Sequence, residues 1–183
     1  MPDKTPSTAT LLIACPDRPG LIAEVTGLVA SLGGNIIDAD QHTDADSGQF
    51  FMRLAIGRQG VDRGALESGA RGVAQRCSMQ RRLNWRDEPM RVAILVSKQG
   101  HCLADLLFRW RSGELEGDIA LVVGDLDEGP IIAQATTTVG HRDTVNDLIR
   151  KGRDLERIVL ADAVRAHLQD RILVSGGKTV VFE

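Results

Sequence analysis

The sequence predicts two consecutive domains: an α+β unit of order βαββαβ, then an open α/β unit. Three observations carry that prediction. Apolar residues switch between strand spacing and helix spacing through residues 8–85, and six elements result. The charged stretch Arg86-Asp87-Glu88-Pro89 ends in proline and marks a boundary, giving domains of 1–87 and 88–183. Beyond it, an apolar strand, an amphipathic helix and a second apolar strand follow in the order that opens a parallel sheet.

In the first domain, residues 8–15 (TATLLIAC) form a short apolar run that stops at Pro16, as a buried strand does. Pro16-Asp17-Arg18-Pro19-Gly20 is a turn. Leu21, Ile22, Val25, Leu28, Val29 and Leu32 then recur at helical spacing, and Gly33-Gly34 ends the helix. Residues 35–43 alternate as a half-exposed strand, and residues 49–57 form a second strand. The Asp-, Ser- and Gly-rich stretch 44–48 joins them as a hairpin. Residues 61–77 suit a helix that Gly64, Gly69 and Gly72 weaken, and 78–85 alternate as the last strand. This is a ferredoxin-like order. His42 falls on the exposed phase of its strand, a surface residue and not a metal ligand.

In the second domain, residues 91–97 (RVAILVS) are nearly all apolar and predict a central parallel strand covered on both faces. Leu103, Leu106, Leu107 and Trp110 share a helix face, and residues 118–123 (DIALVV) form the next strand. The acidic turn Asp125 to Pro130 follows at once and runs into Ile131-Ile132, a β-branched strand start. Residues 134–139 are expected as an edge-like strand. A long helix follows, with Asp143 as its N-cap and apolar positions from Val145 to Leu168. The charges of residues 150–157 make a solvated face, and His167 sits near the helix end, where positive charge is favoured. Residues 171–174 and 178–182 close the chain as a hairpin around Ser175-Gly176-Gly177.

Composition excludes several function classes. A net charge of −3 gives no electrostatic footprint for nucleic acid or an anionic membrane. Aromatic residues make up 3% and tyrosine is absent, so no base-stacking surface is expected. No apolar run reaches the length of a membrane span, and no signal-peptide core follows Met1. Cys15, Cys77 and Cys102 are scattered and odd in number, which implies a reducing, cytoplasmic location and matches no metal spacing.

Two loops hold the candidate chemistry. The turn Asp125-Leu126-Asp127-Glu128-Gly129-Pro130 places Asp127 at a strand mouth, where a carboxylate can orient water or an imidazolium. The loop after the first strand of the second domain reads Ser97-Lys98-Gln99-Gly100-His101-Cys102-Leu103, too poor in glycine to cradle a phosphate. His101 opens a helix, where local hydrogen bonds are its simpler role and that of a base its second.

Both stretches resemble the folate-dependent formyltransferases, and among them the formyltetrahydrofolate deformylases. The matching residues are D-L-D-E-G-P-I-I-x-Q from Asp125 to Gln134, and H-C-L-x-D-L-L from His101 to Leu107. The first domain resembles an ACT domain through Asp17-Arg18-Pro19-Gly20-Leu21 and Gly33-Gly34-Asn35-Ile36. The resemblance implies a formyltransferase-like second domain and hydrolysis of 10-formyltetrahydrofolate to formate and tetrahydrofolate, in one-carbon and purine supply. Asp127 would be catalytic, and Asp125, Leu126 and His101 would line the substrate site. The folate is a substrate, so neither a bound cofactor nor a metal is implied. For the first domain it implies an amino-acid effector held by Asp17, Gly20, Leu21, Asn35 and Ile36, in a homo-oligomer. The free N–H groups at a helix start suit the effector's carboxylate.

One part of the family pattern is missing. The catalytic Asn and His of the family stand in an N-x-H-x-S-x-L-P segment between the second strand and the acidic turn. Here Val123-Gly124 runs directly into Asp125, and no N-x-H occurs anywhere in the chain. The gap is on the order of 100 residues, the size of a small domain. The resemblance therefore implies a second domain truncated near 123–124 and an impaired or inactive enzyme. The alternative from another class is a non-catalytic, amino-acid-binding regulatory remnant that self-associates.

Overall fold

The computed structural model describes residues 8–57, 60–96, 101–124, 132–175 and 178–182. The chain divides into two compact units, one reaching Glu88 and joined by Phe182, the other spanning Pro89–Val181.

The first unit comprises β1 (Thr8–Pro16), α1 (Leu21–Ser31), β2 (Asn35–Asp44), β3 (Gln49–Gly57), α2 (Arg63–Arg76) and β4 (Gln80–Trp85). The strands form one antiparallel sheet in the order β2-β3-β1-β4. Alternate residues of β1 (Leu11, Ile13, Cys15) and β3 (Phe50, Met52, Leu54, Ile56) share a core with Leu21, Val25 and Val29 of α1 and with Leu66, Ala70 and Val73 of α2. Thr10, Leu12 and Ala14, on the opposite phase of β1, are buried as well, as its uninterrupted apolar run predicts.

α2 tolerates its glycines for a packing reason. A Cβ on Gly69 would lie 2.4 Å from Cδ1 of Leu28, so the missing side chain lets α2 approach α1. The Asp62 carboxylate accepts from Ala65 N–H at 2.7 Å and fixes the start of α2. At the end of the unit, the guanidinium of Arg63 lies 4.6 Å from the centre of the Trp85 ring, and Trp85 Nε1 donates to Glu67.

The second unit comprises β5 (Arg91–Val96), α3 (His101–Arg111), β6 (Asp118–Gly124), α4 (Val145–Leu168), β7 (Ile172–Ser175) and β8 (Lys178–Val181). β5 and β6 pair in parallel, and β7 and β8 form the expected antiparallel hairpin. Leu106, Leu115 and Ala161 are its buried cluster, with Ile94, Val164 and Leu168 packed against it.

Three expectations fail in this unit. β5 is not covered on both faces: Arg91 and Ala93 are exposed and Val92 and Ile94 half-buried. Among the described residues its sheet has two strands, so each is an edge. Residues 134–139 are no strand but exposed irregular chain, because β propensity without a partner leaves the backbone to water. The cap of α4 is Thr144 and not Asp143. The Thr144 hydroxyl and the Asp147 carboxylate form a reciprocal capping box, while Asp143 accepts from Gly140 N–H and from Lys151 Nζ, both at 2.7 Å. Those two donors hold the Asp143 carboxyl below the usual range. α4 continues through Gly152 as one helix.

Candidate functional site

The strands that precede the two stretches with candidate chemistry end side by side. Val96, the last residue of β5, is the register partner of Gly124, the last residue of β6. In open α/β sheets ligands bind beyond the carboxyl ends of the strands, and both motifs start there. Asp125, Leu126 and Asp127 lie outside the described residues, as do residues 97–100.

His101 is the first residue of α3, and its ring Nε2 lies 2.8 Å from Oε2 of Glu156 on α4. It is held by hydrogen bonding at the helix start, but the partner is 55 residues away. Cys102 beside it is half-buried, whereas Cys15 and Cys77 are buried. Burial pushes the Cys102 thiol up, and the negative charges of Glu156 and Asp105 add to that. His101, Cys102 and Glu156 each present one ligand atom, all within 4.8 Å of one another. Cys102 and Glu156 also line an open groove of about 550 Å³ with Ile132, Ala133, Leu155 and Val159. The rest of the motif is structural: Asp105 accepts from Arg109 Nε at 2.7 Å, and Leu106 is core. Glu156 was invisible to motif reading because it belongs to a charged helix face far along the chain.

In the first unit, the residues expected to clasp an effector do not meet within one chain. Asp17 follows Pro16, which pairs with Gln49, and Asp17 N–H donates to Gly48 C=O at 2.8 Å. Asn35 pairs with Gly57, and Gly57 pairs with Thr8. The two groups therefore occupy opposite ends of the sheet, about 25 Å apart at the usual strand rise. Gly20 caps α1 in the left-handed region, with φ of 91°, and no side chain caps that start. Leu21 is buried in the core and has only backbone to offer a ligand; Ile36 packs partly against the same core. Asp17, Gly20 and Asn35 are exposed. Between α1 and α2 lies an open groove of about 690 Å³, with Arg18 and Gly20 at one end and an Arg76–Glu24 ion pair of 3.1 Å on its wall.

Comparison with known proteins joins the two halves. The ACT domain family matches residues 9–68. A formyltetrahydrofolate deformylase of Synechocystis is 33% identical over 279 residues, covering 96% of this chain and 98% of the relative. One of Bacillus subtilis is 27% identical, covering 94% and 93%. The crystal structure of a formyltetrahydrofolate deformylase from Pseudomonas syringae pv. tomato superposes with a TM-score of 0.92 at 28% identity, covering 99% of this chain and 96% of that one. With 183 residues here, at least 96 positions of the first alignment hold no residue of this chain. An ACT domain followed by a formyltransferase-like unit, matched over nearly the whole length of its relatives, places the chain in the formyltetrahydrofolate deformylase family.

Proposed function

We propose that the chain binds 10-formyltetrahydrofolate and hydrolyses it to formate and tetrahydrofolate, at a rate far below that of its relatives. The observation that supports this reading is the shared register of Val96 and Gly124, which launches both family motifs from one strand edge. In the reaction a water oxygen attacks the formyl carbon. The carbon–nitrogen bond then breaks, and the nitrogen takes up a proton. Asp127 would orient that water. The developing oxyanion needs donors aimed at it, and removing one such donor costs roughly 10²–10³ in rate. The family's Asn and His, which supply them, have no counterpart here. The test is tetrahydrofolate formation by the purified chain, beside an intact relative and the Asp127→Asn variant. Turnover at least about a thousandfold below the relative is expected. Turnover close to the relative's, lost in Asp127→Asn, contradicts the impairment.

The first unit would bind an amino acid as effector, and two copies would be needed. Asp17 and Gly20 at one sheet end and Asn35 at the other can face one another only if a second, antiparallel copy brings opposite ends together. The edge strand β2, with Ile37 53% exposed, is available for that pairing. Calorimetric titration of amino acids into the full chain, repeated on Asn35→Ala, tests the site; equal binding by both places it elsewhere. We infer a cytoplasmic location, a reading that the free thiols of Cys15, Cys77 and Cys102 support. Among the described residues no helix is long and apolar enough to cross a membrane.

A further inference from the structure

We propose that His101, Cys102 and Glu156 form a binding site for a divalent cation of the zinc class. The three residues offer one nitrogen, one sulfur and one oxygen, all within 4.8 Å of one another. Zinc accepts this donor set, and three protein ligands with a fourth position open is its pattern at reactive sites. Bond lengths of about 2.0–2.3 Å set tetrahedral ligand atoms roughly 3.3–3.7 Å apart, so the 2.8 Å His101–Glu156 pair must open and separations of up to 4.8 Å must close, each by on the order of 1 Å or less. Glu156 can supply that movement, because its side chain is 63% exposed, while His101 at 22% is held. A thiol and an imidazole side by side disfavour the hard cations magnesium and calcium, which take oxygen ligands.

The local charges fit the same ion. Burial pushes the Cys102 thiol up, and the negative charges of Glu156 and Asp105 add to that and favour a cation beside it. A bound cation would reverse the push on the thiol: the sulfur gives its proton to solvent and becomes the ligand, the imidazole carries its proton on Nδ1 in place of Nε2, and the hydrogen bond between Glu156 and His101 Nε2 is exchanged for two bonds to metal. Cys102 and Glu156 also line an open groove with Ile132 and Val159, which has room for water or a small ligand as a fourth donor. The site would also tie the start of α3 to the middle of α4, in a unit whose buried cluster is small. It does not rest on the reading of the reaction, and its test is binding and not turnover.

The experiment is titration of the chelator-treated full chain with Co²⁺, followed by optical absorption. One equivalent giving intense visible bands of a tetrahedral site and a thiolate-to-cobalt band in the near ultraviolet, displaced by Zn²⁺, is expected. Cys102→Ser should abolish the thiolate band. Glu156→Gln, a change on an exposed side chain, should weaken binding at least about tenfold while the protein stays folded. Alkylation mapped by mass spectrometry gives a second reading: Zn²⁺ should protect Cys102 in the unmodified chain and less so in Glu156→Gln. No thiolate band, a band that survives Cys102→Ser, or alkylation of Cys102 indifferent to Zn²⁺ overturns the proposal.

Discussion

The two units are built from similar elements and closed to very different degrees. In the first, eighteen side chains from β1, β3, β4, both helices and their flanks share one buried cluster. In the second, among the described residues, Leu106, Leu115 and Ala161 form the corresponding cluster. Among the described residues, Ile22 and Ile37 are the large apolar side chains exposed in the first unit. The second exposes Phe108, Val139, Val145, Leu148, Ile149 and Ile158 among others. The difference lies in neighbours, not in local signals. α4 is amphipathic and well capped, and β5 and β6 are apolar, yet a parallel pair needs strands and helices beyond it to cover its faces. The alignment with the Synechocystis relative has at least 96 positions that this chain lacks, enough for such a cover. An element can be fully specified locally while the layer that should bury it is missing.

The largest effect expected from this contrast is on core truncation. Leu54 is 0% exposed and Phe108 is 71% exposed. Leu54→Ala should cost about 2–5 kcal/mol, whereas Phe108→Ala should stay within about 0.5 kcal/mol. Urea unfolding read from Trp85 fluorescence in a Trp110→Phe background measures the first, and from Trp110 fluorescence in a Trp85→Phe background the second. A large loss from Phe108→Ala would mean that the second unit is covered after all.

The helix starts sharpen the comparison at a smaller scale. Gly20 is left-handed with open space around a would-be Cβ, so Gly20→Ala is penalised by backbone conformation, by roughly 1–2 kcal/mol. Gly27, in the middle of α1 with nothing within 4 Å of its Cβ position, should gain roughly 0.5–1 kcal/mol on Gly27→Ala. Opposite signs for two glycines seven residues apart are the expected result of the same urea assay.

The start of α4 depends on pH. The Thr144 hydroxyl and backbone N–H, with Arg150, hold the Asp147 carboxyl down to about 2. A depressed carboxylate stabilises the fold fully above its ordinary value near 3.8, and that support is lost as pH falls through about 2. Circular dichroism from pH 5 downward should show helix loss in that window, and Asp147→Asn should remove the step while lowering helix content at pH 5. Unchanged acid behaviour in the variant would contradict the capping role.

Legibility followed the same division. The order of elements in the first unit could be read because β1, β3 and both helices bury the faces their spacing announces, as Leu11, Ile13 and Cys15 do. Residues 134–139 were misread because TTTV has β propensity and no strand beside it to confirm or deny a ladder. Asp143 suits a cap by residue type and position, but Thr144 with Asp147 three residues on is the capping-box pattern that the sequence also carries. Of the candidate site, His101 was named from its motif. Glu156, 55 residues on, could be found only from coordinates. The separation of Asp17 from Asn35 is a matter of strand direction, which no local spacing records.

Amide hydrogen exchange on the full chain tests the contrast between the two units most directly. Residues 11–14 and 51–54 should exchange slowest, near the rate of global unfolding. Residues 91–96 and 118–124 should exchange faster by orders of magnitude, through opening of a sheet that has two strands among the described residues. Equal protection of the two sheets would contradict the account and show that the second unit is as closed as the first.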